Sequence, residues 1–148
     1  NLKNNVHLAR GCTLSGNLYS IDIEDFVSLS NYVQLFSVSD DYKASALTGG
    51  TLNQKERERF SKSYRGNIKI GKFSIIGPFS IILPNSIIEE FVSVSPFSII
   101  FGRLKKGIYY SSLKKKKFFK NHKEIKKIYN KYKKYLKSGK WDLLKSLF

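Results

Sequence analysis

From Ile70 to Ile99 the chain reads IGKFSI IGPFSI ILPNSI IEEFVS VSPFSI, and Ile100 opens a further block. Ile70, Ile76, Ile82, Ile88, Val94 and Ile100 fall on the first position of each block of six. The fourth position reads Phe73, Phe79, Asn85, Phe91 and Phe97, and the fifth Ser74, Ser80, Ser86, Val92 and Ser98. Neither a helix, with its 3.6-residue period, nor a half-buried strand, with its period of two, repeats every six residues. A strand of two or three residues followed by a tight turn does, and three such units make a three-sided coil. The aliphatic first residue fills the interior, and the small fifth residue fits beside it at the corner.

The same spacing runs upstream. Leu2, Leu8 and Leu14 are six apart, with Val6, Cys12 and Leu18 at the fifth positions. Ile23, Leu29 and Leu35 repeat it, with Val27 and Val33. Ser20–Asp22 is a three-residue offset between these runs, expected as a bulge at a corner. The count gives one coil in 2–19, one in 23–40 and two in 70–105. Stacked coils bury one continuous core, each touching mainly its neighbours. A stack this thin has little core of its own, so assembly along its flat faces is expected.

Residues 41–66 break the period and are expected as a loop thrown out of the solenoid, with Gly49–Gly50 and the alternating charges of Glu56–Arg59 on its surface. Long insertions in compact domains tend to be functional or disordered. After Gly102 the pattern changes again. Phe118, Ile125, Ile128, Tyr129, Tyr132, Tyr135 and Leu136 recur mostly at helical spacings, which predicts an amphipathic helix over Lys115–Lys137 with a lysine face. Trp141, Leu143, Leu144, Leu147 and Phe148 form an apolar end able to cap the solenoid or dock on a neighbour. The domain division is a solenoid over 1–106 and a basic extension over 107–148. Of the 27 Lys and Arg, 17 lie from Arg103 onward, against only two of the 11 acids. The formal charge of +16 therefore sits almost wholly on the tail, which can attract phosphate, nucleic acid or an anionic membrane. The single cysteine excludes an internal disulfide and a Cys-based zinc cluster, and fits a reducing cytoplasm. No run approaches about 18 apolar residues, and no signal-peptide pattern opens the chain. The chain starts at Asn1 with a strand-like pattern already running at Leu2, which suggests that the fold continued upstream.

Three segments resemble the hexapeptide-repeat acyltransferases, in particular the sugar O- and N-acetyltransferases of bacterial surface-polysaccharide synthesis. Asn5-Val6-His7-Leu8-Ala9 is similar to that group's Asn-Val-His-Ile-Ala. Ile23-Glu24-Asp25-Phe26 followed by Ser37-Val38-Ser39-Asp40-Asp41-Tyr42 is similar to its Ile-Glu-Asp-Phe and Ser-x-Ser-Asp-Asp-Tyr-Ser-Gly. Ile75-Ile76-Gly77 followed by Ser80-Ile81-Ile82-Leu83-Pro84 is similar to its Ile-Ile-Gly-Ala-Gly-Ser-Val-Ile-Leu-Pro-Gly. Gly107-Ile108-Tyr109-Tyr110 is a weaker match, and order and spacing agree over roughly residues 1–120. The resemblance implies an all-β solenoid, a left-handed parallel β-helix with an inserted loop and a C-terminal α-helix. It implies a cytoplasmic homotrimer with a site between adjacent subunits, and acetyl-CoA as co-substrate with no metal. It also implies a sugar or nucleotide-sugar acceptor, reached by the loop from Asp41. Departures are also visible. Phe73 stands where the family often has His, Pro78-Phe79 replaces Ala-Gly, Lys43-Ala44 replaces Ser-Gly, and Ser111-Ser112-Leu113-Lys114 replaces Gly-x-Pro-Ala.

Acyl transfer needs a base for the acceptor and donors for the oxyanion. His7 matches a family histidine and is the natural general base by residue type, or else a surface or interface histidine satisfied by a neighbour. Asp40 and Asp41 are candidates to orient or deprotonate the acceptor, or else cap the turn that leaves the solenoid. Tyr42 lines the acceptor pocket or packs the loop. Ser80 and Ser98 along the coils, with Arg103, Lys105 and Lys106 at their end, are candidates for holding CoA, the cations through its phosphates. Two rival readings remain: a catalytically inactive trimeric scaffold, and an anionic-ligand module whose basic tail associates weakly with a membrane surface. No specific nucleic-acid partner is expected.

Overall fold

Aliphatic side chains six residues apart share one interior only if the chain turns after every short strand. The computed structural model, which describes residues 1–16, 18–40, 49–110, 117–119 and 122–137, has that form. The first coils hold β1 (His7–Leu8), β2 (Thr13–Ser15), β3 (Ile21–Ile23), β4 (Ser28–Leu29) and β5 (Gln34–Phe36). A side ribbon follows, made of β6 (Val38–Asp40) and β7 (Ser63–Arg65), with helix α1 (Gln54–Phe60) between them. The coils resume with β8 (Ile68–Ile70), β9 (Ile75–Ile76), β10 (Ile81–Ile82), β11 (Ile87–Ile88), β12 (Ser93–Val94), β13 (Ile99–Ile100), β14 (Arg103–Leu104) and β15 (Ile108–Tyr110). The chain then forms β16 (Lys117–Phe119) and helix α2 (His122–Lys137).

Three sheets make the three sides: β1-β4-β9-β12-β15, β2-β5-β10-β13 and β3-β8-β11-β14, every pair parallel. Partners stand 18 residues apart where the repeat is unbroken, as in Ile75↔Ser93 and Ile81↔Ile99. They stand 21 apart at the start (His7↔Ser28), where the offset before Ile21 adds three residues. They stand 47 apart across the insertion (Ser28↔Ile75) and 16 apart at the end (Ile87↔Arg103).

The first-position residues from Ile23 to Ile100 are the core. Ile23, Leu29, Leu35, Ile70, Ile76 and Ile82 are 0% exposed. The fifth-position serines are inside as well, and their hydroxyls tie the coils together. Ser74 Oγ donates to the Glu89 carbonyl at 3.0 Å and accepts from the Val92 N–H at 3.2 Å. Ser80 Oγ donates to the Ser95 carbonyl at 3.2 Å and accepts from the Ser98 N–H at 3.3 Å.

Every fourth-position residue from Phe73 to Phe97 has φ between +55° and +62°, as do Phe26 and Tyr32 upstream at +58° and +57°. Left-handed backbone costs a non-glycine residue about 1–2 kcal/mol. Here the cost is offset by stacking, because neighbouring coils bring identical corners to strand spacing, about 4.8 Å. One corner stacks Phe26 on Phe73 and Phe73 on Phe91, with centroids 5.3 and 4.9 Å apart. A second stacks Tyr32 on Phe79 and Phe79 on Phe97, at 5.1 and 5.2 Å. Offset aromatic pairs contribute about 0.5–1.5 kcal/mol each beyond burial. The third corner carries Asn85, whose Nδ2 donates to the Arg65 carbonyl at 2.9 Å.

The structure departs from the sequence reading in five places. Leu2 and Leu8, expected at inward first positions, are 51% and 37% exposed in the first coil. Leu18, expected at an inward fifth position, is 86% exposed, because the bulge before Ile21 swings it out. The solenoid continues past residue 106, since β15 pairs in parallel with β12. Helix α2 begins at His122 rather than Lys115; the aromatic-rich Lys117–Phe119 instead adds antiparallel to β15. The insertion contains α1, a short 3-10 turn and β7. Residues 141–148 lie outside the described residues.

Helix α2 covers the first aromatic corner. Tyr129 meets Phe26 and Phe73 edge-on at 5.3 and 5.0 Å, and Tyr132 meets Phe26 at 6.0 Å. The second corner is open, with Tyr32 41%, Phe79 49% and Phe97 68% exposed and Ile99 and Phe101 beside it at 67% and 72%.

Candidate active site

The ribbon leaves the corner between β5 and β8. Antiparallel pairing sets Asp40 opposite Ser63 and Val38 opposite Arg65. Side chains alternate along a strand, so Val38, Asp40, Ser63 and Arg65 share one ribbon face. Helix α1 lies across a cavity from it. Its start is fixed by a reciprocal cap: Glu56 N–H donates to Asn53 Oδ1 at 3.0 Å, and Asn53 N–H donates to Glu56 Oε2 at 3.1 Å. Its end is held by Ser61 Oγ, which donates to the Arg57 carbonyl at 2.6 Å. Gln54, Arg57 and Ser61 fall at helical spacing and share one face. Between this face and the ribbon's lies an open cavity of about 570 Å³, bordered also by Leu18 and Tyr19 from the bulge. Among the described residues of its lining, Asp40 is the carboxylate and Arg57 and Arg65 are the cations. Asp41 and Tyr42 lie outside the described residues.

His7 is elsewhere. It faces outward from β1, exposed, with Nδ1 at 3.1 Å from Ser28 Oγ. Its sheet is the side of the prism away from the corner where the ribbon leaves. One copy of the chain therefore does not bring His7 and Asp40 together.

The CoA candidates divide. Ser80 and Ser98 are buried at the corners, where Ser98 Oγ donates to the Ser95 carbonyl at 2.7 Å; Ser98 also borders a small cavity of about 200 Å³ with Ile99, Phe101 and Tyr110. Arg103 and Lys106 line a larger cavity, of about 630 Å³, over the sheet of β8 and β11. Both are engaged there: Arg103 Nε donates to Glu89 Oε1 at 2.6 Å, Lys106 N–H donates to Glu89 Oε2 at 2.8 Å, and Lys106 Nζ pairs with Glu90. These contacts, the Lys106 N–H first and Arg103 second, hold the Glu89 carboxyl below its usual range. Lys72 does the same to Asp25 from 3.0 Å, helped by the Asn4 N–H, and is itself raised by that carboxylate. Lys105 is exposed; its N–H donates to the Tyr110 hydroxyl at 2.8 Å. Among the described residues no group of three or more His, Cys, Asp or Glu stands together to hold a metal.

The sequence reading assigned Arg57 to loop surface and did not single out Arg65. The signals were present: 54, 57 and 61 at helical spacing after an Asn-x-x-Glu cap, then 63 and 65 alternating with 38 and 40.

No protein-family model matches the chain. Among curated proteins, the dTDP-4-amino-4,6-dideoxy-D-glucose acyltransferase of Escherichia coli is 24% identical over 95 residues, 64% of this chain and 47% of that protein. The chain thus spans about half the length of that curated relative. Among solved structures, AntD, an N-acyltransferase from Bacillus cereus in complex with dTDP and 3-hydroxybutyryl-CoA, superimposes with a TM-score of 0.78 at 26% identity, over 92% of this chain and 73% of that one. A galactoside acetyltransferase in complex with coenzyme A, at 18% identity and a TM-score of 0.54 over 80% of this chain and 58% of that one, shares the fold. These relatives are sugar acyltransferases of the hexapeptide-repeat kind, and the coil described above is their left-handed parallel β-helix.

Proposed function

We propose that this chain is the β-helix of a CoA-dependent sugar acyltransferase, moving an acetyl or related acyl group to an amine or hydroxyl of a nucleotide-linked sugar destined for surface polysaccharide. The observation that carries the reading is the placement of Asp40. It lies in a cavity large enough for a sugar, on a β-helix that superimposes closely on an N-acyltransferase bound to a nucleotide and an acyl-CoA.

Asp40 accepts the proton as the acceptor nitrogen or oxygen attacks the thioester carbonyl. The carbon–sulfur bond then breaks, and the departing thiolate of CoA takes up a proton. CoA lies along the outside of the coils toward Arg103, Lys105 and Lys106. The reaction belongs in the cytoplasm, where acyl-CoA and nucleotide sugars meet. Among the described residues no helix is long and apolar enough to cross a membrane. The exposed Lys126, Lys127, Lys133, Lys134 and Lys137 of α2 suit a weak contact with an anionic surface.

The reading includes a homotrimer. The open corner of Tyr32, Phe79 and Phe97 with Ile99 and Phe101 is a continuous apolar strip suited to a second copy. A copy seated there can bring its His7 to its neighbour's Asp40, completing a site between chains. The test is release of free CoA thiol from acetyl-CoA in the presence of a dTDP-amino sugar. Asp40→Asn is expected to lower kcat/KM by about 10²–10⁴-fold. Co-assembled His7→Ala and Asp40→Asn chains, each inactive alone, are expected to regain activity. Full activity in Asp40→Asn would sink the reading.

A further inference from the structure

His7 is tied to a neighbouring side chain through one of its two ring nitrogens. Parallel pairing of β1 with β4 sets His7 beside Ser28 and Leu8 beside Leu29. The His7 N–H donates to the Val27 carbonyl and the Ala9 N–H to the Leu29 carbonyl, both at 2.9 Å, which holds the strands in that register. Leu29 is fully buried, so Ser28, next to it along the strand, is turned to the outer face with His7. There His7 Nδ1 stands 3.1 Å from Ser28 Oγ. The outer row continues with Ile75, the partner of Ser28 in the next coil, whose side chain has no polar group to offer. Ser28 is itself held in place: β4 lies between β1 and β9, and the Ser28 N–H donates to the Ser74 carbonyl at 3.0 Å. Among the described residues the exposed His7 ring makes no other hydrogen bond or ion pair, so Nε2 is left open.

The 3.1 Å contact fits two arrangements, Nδ1–H donating to Oγ or Oγ–H donating to Nδ1. They differ in what they leave at Nε2. With the proton on Nδ1, Nε2 keeps a lone pair and can take up a proton. With the proton on Nε2, it cannot. Protonation separates them as well, because an imidazolium carries hydrogen on both nitrogens. A serine that already accepts from Nδ1 keeps its bond, whereas one that donates to Nδ1 must turn round. A histidine that gains and loses a proton in every turnover is served by the first arrangement. Resting on the acyltransferase reading, in which His7 meets a neighbour's Asp40, we infer that Ser28 is the positioning residue of that histidine. Its oxygen holds the proton on Nδ1 and leaves Nε2 free to exchange a proton with the groups that meet there.

The test reads the ring directly. Long-range proton–nitrogen NMR on the full chain distinguishes a protonated from an unprotonated ring nitrogen. His122 is the other histidine of the sequence, so His122→Gln leaves one imidazole to observe. At alkaline pH, where imidazole is neutral, the expected spectrum has the proton on Nδ1. Ser28→Ala moves it to Nε2, the nitrogen an unconstrained imidazole favours in water, and Ser28→Thr, which keeps the hydroxyl, restores it. Ser93→Ala, on the same sheet but two coils from Ser28, leaves the tautomer as it was. Dispersed amide signals in the same samples report that the variants fold. In the acyl-transfer assay Ser28→Ala is expected to lower kcat by about threefold to tenfold, with KM for acetyl-CoA nearly unchanged, and Ser28→Thr to recover it. A proton on Nε2 in the unsubstituted chain overturns the inference, as does a tautomer indifferent to Ser28→Ala. If Ser28 governs the tautomer while the unsubstituted chain transfers no acyl group, the hydrogen-bonded pair stands and the acyltransferase reading falls. Transfer that needs His7 but keeps its full kcat in Ser28→Ala does the reverse.

Discussion

Single residues carry the solenoid in ways that differ in kind. Ile82 is fully enclosed by coils above and below, and Ile82→Ala is expected to lower unfolding free energy by about 2–5 kcal/mol in a denaturant titration. Gly71 and Gly77 do a different job. A Cβ on Gly77 would lie 2.6 Å from Pro96 N and 2.7 Å from Ser95 C, and one on Gly71 2.6 Å from Glu90 N. Those neighbours are backbone of the next coil and cannot swing aside. Gly77→Ala is therefore expected to cost about 1–3 kcal/mol. Gly50→Ala, with nothing among the described residues within 4 Å, is expected to leave the melting temperature nearly unchanged. The serines show where reading residue types alone misleads. Ser80 and Ser98, read as CoA contacts, sit at the corners, where backbone carbonyls satisfy them. The aliphatic positions were legible because a period of six admits few folds. Arg57 and Arg65 were hidden because their cavity is built by a seven-residue helix inside a segment that lacks the period.

At the scale of elements, two aromatic ladders with the same geometry face different surroundings. Phe73 stacks between Phe26 and Phe91 under Tyr129 of α2, whereas Phe97 stacks on Phe79 alone among the described rings. Glycine at either position relieves left-handed strain of about 1–2 kcal/mol and forfeits about 0.5–1.5 kcal/mol per ring contact. Phe73→Gly is therefore expected to lower stability by about 1 kcal/mol or more, while Phe97→Gly leaves the single chain's stability near its starting value. The covered corner also has a pH signature. Asp25 and Glu89 are held below their ordinary values of 3.8 and 4.5, so at mildly acid pH the unfolded chain binds more protons than the folded one. Their contribution is complete above those values and is lost as pH falls through the lowered ones. Lys72, raised above 10.5, contributes below that value and loses its part as pH climbs through the raised one. Melting temperature against pH should show both limbs, and Glu89→Gln should flatten the acid one. The helical period of the tail was visible in Tyr129 and Tyr132, but its target was not, since nothing in a linear pattern says which corner a helix will cover.

At the scale of the whole molecule, the proposed trimer would form through the open ladder. Sedimentation is expected to give three times the chain mass of 17.0 kDa, and Ile99→Glu with Phe101→Glu, both more than half exposed, should return the monomer with its β content intact. A monomeric unsubstituted chain would contradict that expectation. The interruption between β5 and β8 has a consequence of its own. It stretches the loop closing one coil on the next from 18 residues to 47, and closure entropy grows only logarithmically with length. The added cost is about 0.9 kcal/mol, less than a single buried methyl pair contributes. A solenoid of this kind can therefore lengthen, shorten or rebuild its side excursion with little thermodynamic penalty. New acceptor preferences can arise by grafting different excursions onto an unchanged stack.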